Sequence, residues 1–446
     1  MTEKRYKVLI IAHELSPFSG SECAVGWNLV TRIARYHEVT VLYASGSQAK
    51  PFSYRQALEL YFTDSAGIAG LKLTSVNQPV FTRFTAFINK IFSRIGSIGL
   101  PAIYFIGYKA WQRKAFRMSE KLHKQIQFDA VHQITQIAYR APGLAWKLGI
   151  PFFWGPTGGV ANLPWKFYKD LPPGSKIIEG IRFVSNSYQA RFSIRIRKAI
   201  SRSEVIYTYS NEDARYFKDK RANQVALMLD VGTTTEHGIS SERPEVKDFL
   251  EGVWCGQLIY RKAPEVIIKA LAASEITKEK IRLTIIGEGP LEKNLQSLAD
   301  QLHLKNIRWI KGIPHEEVFK IMRASDFLVH TSLREATSSV IPEALSVGLP
   351  VLCHDANGMG IAVTKTCGIK VPLVSFERSI RGFHDAMVAL VSDTDYLASL
   401  KAGASMRSIE LSWDNMAQRI AYDYRMAIER NVRELPIESE YEDTSD

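Results

Sequence analysis

Short, continuously apolar runs recur along the whole chain, and amphipathic stretches of helical length separate them. Uninterrupted apolar strands that alternate with helices are typical of parallel sheets covered by helices on both faces. The pattern therefore predicts an α/β fold. The predicted strands are residues 6–12, 38–43, 128–133 and 203–210 in the first half, and residues 252–255, 281–286, 307–310, 327–329 and 351–353 in the second.

The length of the chain favours two domains, because 446 residues exceed the size of an ordinary single hydrophobic core. We predict an N-terminal domain over residues 1–235 and a C-terminal domain over residues 245–410, with the polar, turn-rich stretch 230–249 as the linker. Residues 412–430 have an aromatic and apolar face, which predicts a final helix. The acidic tail, residues 431–446, is predicted to be disordered.

The composition is that of a globular protein, with 46% hydrophobic and 23% charged residues. The four cysteines are scattered without a CxxC pair, so we expect a reducing compartment and neither a metal site nor a disulfide framework. The first apolar run is too short for a signal peptide, and no run approaches the roughly 20 apolar residues of a membrane-spanning helix. We therefore expect a cytoplasmic protein.

The positive charge is concentrated in the first half of the chain. Residues 1–240 contain 32 lysine and arginine residues against 16 acidic ones, whereas the remainder contains 25 against 30. Such an excess favours an anionic partner, either nucleic acid or an anionic membrane, although a solvated surface without a partner has the same composition. No recognised nucleic-acid-binding motif accompanies the charge, so we do not expect nucleic acid to be the partner.

Two stretches interleave aromatic and aliphatic residues with lysine and arginine, namely residues 76–127 and 191–203. This combination suits a membrane interface, where aromatic rings lie among the headgroups and cations meet anionic lipid. The same residues can equally form an ordinary core with a solvated basic face. We favour peripheral docking on the inner face of the cell membrane.

Two carboxylates mark the segment 326–353, which has the pattern of strand, loop, helix and strand. Glu335 lies in the loop after the first strand, and Glu343 lies eight residues later in the first turn of the helix. Ligands bind at this edge of open α/β sheets. Two carboxylates there suit a neutral, hydroxylated ligand such as a ribose or a sugar, but a helix-dipole contact and a solvated loop residue would give the same spacing.

The same segment resembles a known family. Glu335 and Glu343 with seven residues between them, followed by Ala344-Leu345 and Gly348-Leu349-Pro350-Val351, are similar to the signature of the family 4 (group 1) retaining glycosyltransferases. The resemblance implies the GT-B fold, in which two Rossmann-like domains face each other across a cleft and the last helix crosses back to the first domain. It also implies that Glu335 holds the donor sugar and Glu343 the ribose of the nucleotide.

The resemblance extends, more weakly, to residues 17–28, 128–160 and 256–262. It implies that Lys262 and Arg261 bind the diphosphate, that Ile313 lies against the base, and that His132 lies beside the sugar. For Trp27 helix packing is an equal alternative. The implied catalytic residues are His132, Lys262 and Glu335; the implied donor site is Gly20, Gln257, Arg261, Lys262, Gly287, Ile313, Glu335, Ser338, Ser339, Val340 and Glu343; the implied acceptor site is Ser21, Glu22, Trp27, Arg140, Trp154, Gly158 and Gly159.

Two departures from the family pattern affect the donor. Gln257 stands where the family has an arginine, and Ala336-Thr337-Ser338 replaces a frequent Gly-Phe-Gly. The implied reaction moves a sugar from a nucleotide diphosphate sugar to an acceptor hydroxyl with retention, and the acceptor is expected to be a glycan or a polyprenyl-linked intermediate of cell-surface polysaccharide synthesis. No cofactor and no metal is expected, because cations and backbone N–H groups would stabilise the departing diphosphate.

Two other functions remain open from the sequence. A nucleotide-sugar epimerase of similar two-domain layout would use the same cleft, and a non-enzymatic lipid- or nucleic-acid-binding protein would use the basic half. Asp393-Thr394-Asp395 has the DxD pattern that holds a metal in other glycosyltransferases. Its place between two helical stretches instead predicts a helix cap.

Overall fold

Two parallel sheets organise the chain in a computed structural model that describes residues 4–20, 22–46, 53–82, 84–85, 101–234 and 248–434. Within these ranges the first sheet has the order β3-β2-β1-β4-β5-β6-β7 and the second β10-β9-β8-β11-β12-β13. The strands of the first sheet are β1 (Lys7–Ala12), β2 (Glu38–Ala44), β3 (Leu71–Val76), β4 (Ala130–Thr135), β5 (Phe152–Thr157), β6 (Ser203–Thr208) and β7 (Val225–Leu227). Those of the second are β8 (Leu250–Cys255), β9 (Ile281–Ile286), β10 (Ile307–Ile310), β11 (Phe327–His330), β12 (Val351–His354) and β13 (Gly368–Val371).

Helices connect the strands and cover both sheets. Those of the first half are α1 (Glu22–Ile33), α2 (Tyr54–Asp64), α3 (Pro101–Ile126), α4 (Pro173–Phe192), α5 (Ile194–Arg202) and α6 (Asn211–Asp219). Those of the second half are α7 (Pro264–Leu271), α8 (Glu275–Lys280), α9 (Glu292–Gln301), α10 (His315–Ala324), α11 (Val340–Ser346), α12 (Asn357–Ala362), α13 (Phe376–Ser392), α14 (Thr394–Glu410) and α15 (Trp413–Glu434). The predicted α/β class with two Rossmann-like domains is confirmed.

The strand order reverses beside the first strand of each sheet. β1 pairs with β2 on one side and with β4 on the other, and β8 lies in the same way between β9 and β11. Connections leave such neighbouring strands in opposite directions, which opens a crevice outside their carboxyl ends. The loops after β1, β4, β8 and β11 are therefore the places where the topology allows a site.

The two domains exchange segments. Three residues of the N-terminal half are buried in the core of the second sheet, namely Leu163, Phe167 and Leu171. The ring centroids of Phe167 and Phe376 lie 5.1 Å apart. In the opposite direction, α15 is buried against the first sheet. The predicted assignment of all residues from 1 to 235 to the N-terminal domain is therefore wrong for the segment 163–171.

The chain crosses between the domains at two adjacent points. Thr233 N donates to the Leu411 carbonyl at 3.0 Å, and Trp413 N donates to the Thr233 carbonyl at 3.1 Å. The outgoing and returning crossings therefore lie side by side. The remainder of the predicted linker, residues 235–247, is outside the described ranges.

The structure corrects two further expectations. Parts of the stretches that suggested membrane contact are core, since Tyr108, Trp111, Ile196 and Ile200 are at most 2% exposed; residues 86–100 are outside the described ranges. The final helix continues to Glu434. Residues 431–434 are therefore helical and not part of a disordered tail, and residues 435–446 are again outside the described ranges.

Candidate functional site

Two cations and one carboxylate meet at the carboxyl ends of β8 and β11. Arg261 and Lys262 lie in a short 3-10 helix, Tyr260–Lys262, after β8, and Glu335 lies in the loop after β11. The Glu335 Oε1 atom is 2.6 Å from Arg261 Nη1 and 2.6 Å from Lys262 Nζ. The Lys262 side chain is only 11% exposed and that of Glu335 13%, so the ion pairs are largely shielded from water. One carboxylate oxygen is therefore shared between two cations.

Hydrogen bonds fix the two loops to each other. The Thr331 hydroxyl donates to the Lys262 carbonyl at 2.7 Å and accepts from Trp254 Nε1 at 2.9 Å. The Ser332 hydroxyl donates to Glu335 Oε1 at 3.3 Å. These contacts to buried groups hold the charged side chains in place, which is what a preorganised binding site requires.

Glu343 lies in the first turn of α11, next to these loops. His315 Nε2 is 3.4 Å from Glu343 Oε1, and this hydrogen bond raises the pKa of His315 above its usual value. The Ser338 hydroxyl accepts from Lys262 Nζ at 3.5 Å, which connects the start of α11 to the two cations. Ser339 is exposed and Val340 is half-buried.

The other predicted donor residues surround the same edge of the second sheet. A Cβ atom at Gly287 would lie 1.8 Å from the Gly256 carbonyl oxygen, so only glycine permits this close approach of the loops after β8 and β9. Gln257 is exposed and Ile313 is half-buried. Gly20 belongs to the other domain and is exposed, with open space around its Cβ position. Their roles in donor binding stay predictions.

The N-terminal domain meets this edge through charged residues. Glu179 of α4 is 3% exposed, and its Oε1 accepts from Arg334 Nη2 and from the Tyr260 hydroxyl, both at 2.9 Å. Arg140 and Arg182 lie close to Arg334. Burial, followed by the positive charges of Arg334 and Arg140, lowers the pKa of Arg182 to about 10. The cleft is thus strongly cationic beside Glu335.

Acidic residues line the carboxyl ends of β1 and β4. Glu14 Oε1 accepts from the Tyr104 hydroxyl at 3.0 Å and from Gln136 Nε2 at 2.9 Å. Glu22 lies next to it, and burial together with the charges of Glu14 and Asp230 raises its pKa well above the usual value. Burial also raises the pKa of Asp230 to about 6. Burial therefore disfavours the charged form of the Glu22 and Asp230 carboxyl groups on this side of the cleft.

His132 is not in the cleft, and the predicted role beside the donor sugar is wrong. It is 0% exposed in the middle of β4, its Nδ1 is 2.5 Å from the Tyr424 hydroxyl, and its Nε2 is 2.7 Å from the Gly155 carbonyl oxygen. Burial lowers its pKa to about 3. His132 is a neutral core residue that ties α15 to the first sheet.

Two predicted acceptor tryptophans are packing residues. Trp27 lies against the ring of Tyr61 in α2 with a centroid distance of 4.8 Å, so the alternative of helix packing holds. Trp154 is 0% exposed in β5, and its ring centroid lies 5.6 Å from that of Phe217. The Trp154 ring is enclosed in the core, which leaves no room for its predicted contact with the acceptor. Trp27 is half-buried, and its acceptor role stays a prediction.

Gly158 and Gly159, which follow β5, lie against the carboxylate of Asp213. Gly159 N donates to Asp213 Oδ2 at 3.0 Å, and Val160 N donates to Asp213 Oδ1 at 2.7 Å. A Cβ atom at Gly158 would lie 2.2 Å from Asp213 Oδ2, so the glycine admits the carboxylate. The predicted acceptor role of Gly158 and Gly159 stays a prediction.

Of the remaining predicted acceptor residues, Ser21 is outside the described residues. Glu22 and Arg140 lie beside the cleft, and their roles stay predictions. The sequence reasoning missed Glu14, Gln136, Asp230, Glu179 and Arg334. Glu14 and Gln136 lie within three residues of the ends of predicted strands, so the general rule on carboxyl edges of α/β sheets could have found them.

Comparison with known proteins agrees with this geometry. Residues 242–401 match the model of the family "Glycosyl transferases group 1". A D-inositol 3-phosphate glycosyltransferase of Corynebacterium urealyticum is 30% identical over 179 residues, which are 38% of this chain and 41% of that relative. The phosphatidylinositol N-acetylglucosaminyltransferase gpi3 subunit of Schizosaccharomyces pombe is 28% identical over 195 residues, or 42% of this chain and 41% of that relative. The chain thus spans about two fifths of the length of these relatives.

Solved structures are similar over nearly the whole chain. HepE of Anabaena in complex with UDP and glucose has a TM-score of 0.58 at 14% identity, covering 95% of this chain and 100% of that one. The sucrose-phosphate synthase of Thermosynechococcus elongatus has a TM-score of 0.63 at 14% identity, covering 96% and 100%. The fold class is therefore GT-B. The C-terminal domain carries a group 1 glycosyltransferase region, and the predicted resemblance to that family is confirmed there.

Proposed function

We propose that the protein is a retaining glycosyltransferase that moves a sugar from a nucleotide diphosphate sugar to an acceptor hydroxyl. The observation that carries the proposal is the position of Glu335 between Arg261 and Lys262, at the switch point of the sheet in the group 1 region. Two adjacent cations, of which Lys262 is largely shielded from water, are the groups that a diphosphate needs. A carboxylate beside them can accept hydrogen bonds from sugar hydroxyls. HepE, a structural neighbour, was solved with UDP and glucose, which supports a nucleotide sugar as donor.

The proposed mechanism begins with an exchange of partners. Without donor, Glu335 pairs with both cations. When the donor binds, its diphosphate takes over Arg261 and Lys262, and Glu335 becomes free to orient the sugar. The cations then stabilise the charge that develops on the departing diphosphate, and the leaving phosphate takes the acceptor proton on the same face of the sugar. Glu343 holds the ribose in this proposal.

The acceptor we propose is a lipid-linked glycan intermediate of cell-surface polysaccharide synthesis, handled at the cytoplasmic face of the membrane. The carboxyl groups of Glu22 and Asp230 can exchange hydrogen bonds with sugar hydroxyls. In support of a lipid-linked acceptor, one relative is named for phosphatidylinositol glycosylation. None of the helices among the described residues is long and apolar enough to cross a membrane.

We also propose that transfer needs no metal, because Arg261 and Lys262 supply the positive charge beside the leaving group. Transfer should therefore continue at its full rate in EDTA. The measurement is donor turnover with and without the chelator, followed by addition of Mg²⁺. A rate that collapses in EDTA and returns with Mg²⁺ would contradict a metal-free reaction. The DxD sequence does not argue for a metal, since Asp393 caps α14 by accepting from Tyr396 N at 2.8 Å, as predicted.

The first experiment is thermal stability in the presence of UDP, GDP, ADP and NAD, for the wild type and Glu343→Ala. A ligand at 100 times its dissociation constant adds about 2.7 kcal/mol to the free energy of unfolding. We expect one nucleoside diphosphate to stabilise the wild type and to lose most of this effect in the variant. Glu275→Ala is the matched control, because Glu275 is 77% exposed in α8, in an ordinary surface ion pair. No stabilisation by any of the nucleotides would overturn the assignment of the donor site.

A further inference from the structure

Helix α4 has its apolar and polar faces exchanged relative to an ordinary surface helix. Ile177, Ile181, Val184 and Tyr188 follow each other at helical spacing and are 65%, 66%, 67% and 65% exposed. At 3.6 residues per turn these positions form one stripe along the helix. Phe192, 55% exposed, continues the stripe, and Ile194, 62% exposed, follows directly after the helix.

The opposite face of α4 is polar and buried. Glu179 and Asn186 are 3% and 1% exposed. Glu179 binds Arg334 and Tyr260 of the C-terminal domain, as described above. Asn186 Oδ1 accepts from the Tyr139 hydroxyl at 2.7 Å and from Arg140 Nη2 at 2.9 Å, and its Nδ2 donates to the Val160 carbonyl at 2.6 Å. Because this polar face is satisfied inside the protein, rotating the helix to bury the apolar stripe would leave buried polar groups without partners.

The surface around the stripe is positively charged. Between residues 165 and 198 the chain has eight lysine and arginine residues and two acidic ones, of which Glu179 is buried in an ion pair. Trp165, 77% exposed, lies in the adjoining 3-10 helix, Trp165–Asp170, which is tied to α4 by the Tyr168 hydroxyl donating to the Glu179 carbonyl at 3.1 Å. The exposed cations are Lys166, Lys169, Lys176, Arg191, Arg197 and Lys198.

We propose that the outer face of α4 is a membrane-docking surface that lies in the interface of an anionic lipid bilayer. An apolar stripe with an aromatic residue at its edge suits the boundary between headgroups and acyl chains, and the surrounding cations match anionic headgroups. A protein partner of ordinary surface charge would not require this excess of cations. The inference deepens the proposed function, because it names the surface through which a lipid-linked acceptor would be reached.

Docking through α4 also orients the cleft. The buried face of the same helix contacts Arg140 and Arg334, and both lie beside the Glu335 cluster. The bilayer would therefore lie one helix diameter, about 10 Å, from the acceptor side of the cleft. An acceptor whose sugar projects from a lipid headgroup can reach the donor over that distance without leaving the membrane.

The test is co-sedimentation with phosphatidylcholine vesicles that do or do not contain phosphatidylglycerol, carried out without nucleotide. We expect the wild type to bind only the anionic vesicles, and added salt to weaken the binding. Ile181→Ser with Val184→Ser should weaken it about tenfold or more, since both apolar side chains lose their transfer into the interface. Lys176→Ser should weaken it about fivefold, the equivalent of about 1 kcal/mol for one cation near an anionic surface.

The matched control is Met406→Ser with Ile409→Ser, two side chains of α14 that are 70% and 58% exposed. This pair should bind vesicles as the wild type does. A wild type that fails to bind anionic vesicles, or a Met406/Ile409 variant that loses binding equally, would overturn the proposal. A stable dimer without vesicles that Ile181→Ser and Val184→Ser dissociate would also overturn it, in favour of a second copy on this face. Nucleotide stabilisation is measured separately, so donor binding can stand while docking fails, and the reverse.

Discussion

At the scale of single residues, the shared carboxylate of Glu335 is the feature on which the site depends. Both Arg261 and Lys262 use the same oxygen, and the Lys262 ammonium is largely desolvated. A desolvated charge contact that is fixed before the reaction can contribute more to a transition state than the same contact in water. The side chains of Lys262 and Glu335 should therefore matter more for turnover than for folding.

We predict that Lys262→Ala and Glu335→Ala each lower the rate of sugar transfer by about a hundredfold to a thousandfold, or about 3 to 4 kcal/mol of transition-state stabilisation. The physical reason is the loss of one fixed charge at the leaving diphosphate or of one hydrogen-bond acceptor at the sugar. Turnover at saturating donor is the measurement. Wild-type rates in both variants would contradict the assignment of the donor site, and Lys278→Ala, in a surface ion pair of α8, is the control.

His13 offers a second prediction at this scale. It is 1% exposed, it meets the rings of Tyr108 and Trp111 edge-on at 5.0 and 4.7 Å, and neither ring nitrogen has a hydrogen-bond partner among the described residues. Burial lowers its pKa to about 3. In the unfolded chain the pKa of this histidine is about 6.5, so the unfolded state binds a proton at a higher pH than the folded state does. Stability from this group is complete above about pH 6.5 and is lost progressively towards pH 3.

We predict that His13→Phe stabilises the protein between about pH 6 and pH 4. The variant keeps the aromatic contacts, and its unfolding takes up one proton fewer than that of the wild type. As the pH falls through this range, its free energy of unfolding should therefore decrease by about 1.4 kcal/mol per pH unit less than that of the wild type. Urea unfolding of both proteins across this range measures the difference. An unchanged slope would contradict the lowered pKa of His13, and a variant that is less stable at every pH would show that His13 makes contacts that phenylalanine cannot replace.

Residue-level prediction failed for a physical reason at His132. The sequence placed the end of the strand at residue 133, which would put His132 at the edge of the sheet. The strand in fact continues to Thr135. A side chain inside the sheet points to a covered face, where it must find its partners in the protein. The resemblance placed Glu335 and Lys262 at one site although they belong to separate stretches, and the structure does bring their side chains together in loops.

At the scale of elements, the apolar runs predicted many of the strands well, and β9 and β10 have the predicted bounds. β5, which contains Gly155 and Pro156, was not among the predicted strands. The register between β5 and β6 shifts between Trp154 and Thr157, so the strand accommodates these residues as an irregularity. The inversion of α4 was also not predicted, because periodicity shows that a helix has two faces but not which of them the protein covers.

The buried polar face of α4 gives a prediction for this element. We expect Glu179→Ala to lower the free energy of unfolding by about 3 to 5 kcal/mol, because the change leaves the Arg334 guanidinium partly buried without its carboxylate. Chemical denaturation is the measurement. Asp414→Ala is the control: its carboxylate is 42% exposed and pairs with Arg32 and Arg35, so its loss should cost about 1 kcal/mol or less. Equal effects of the two changes would mean that the contact between α4 and Arg334 adds nothing to the fold.

At the scale of the whole molecule, each domain is completed by a segment from the other half of the chain. α15 contributes Trp413, Met416, Ile420 and Tyr424 to the core of the first sheet. The segment 163–171 contributes to the core of the second. No local pattern in 163–171 distinguishes a helix that covers its own domain from one that covers the neighbour, which is why the sequence did not predict this exchange. The consequence is that neither domain has its complete core when the other unfolds.

We therefore predict that the two domains unfold in one cooperative transition, and that Phe167→Ala shifts this whole transition. The phenyl ring is 0% exposed against Phe376, so its removal should cost about 3 to 5 kcal/mol. Trp165→Ala, at a residue two positions away that is 77% exposed, should change the free energy of unfolding by less than about 0.5 kcal/mol. Circular dichroism and tryptophan fluorescence report different parts of the molecule, and the two curves should coincide in wild type and variant. If Phe167→Ala instead splits the curve into two steps, the second core depends on the segment 163–171 while the first does not, and the exchange of segments would act in one direction only.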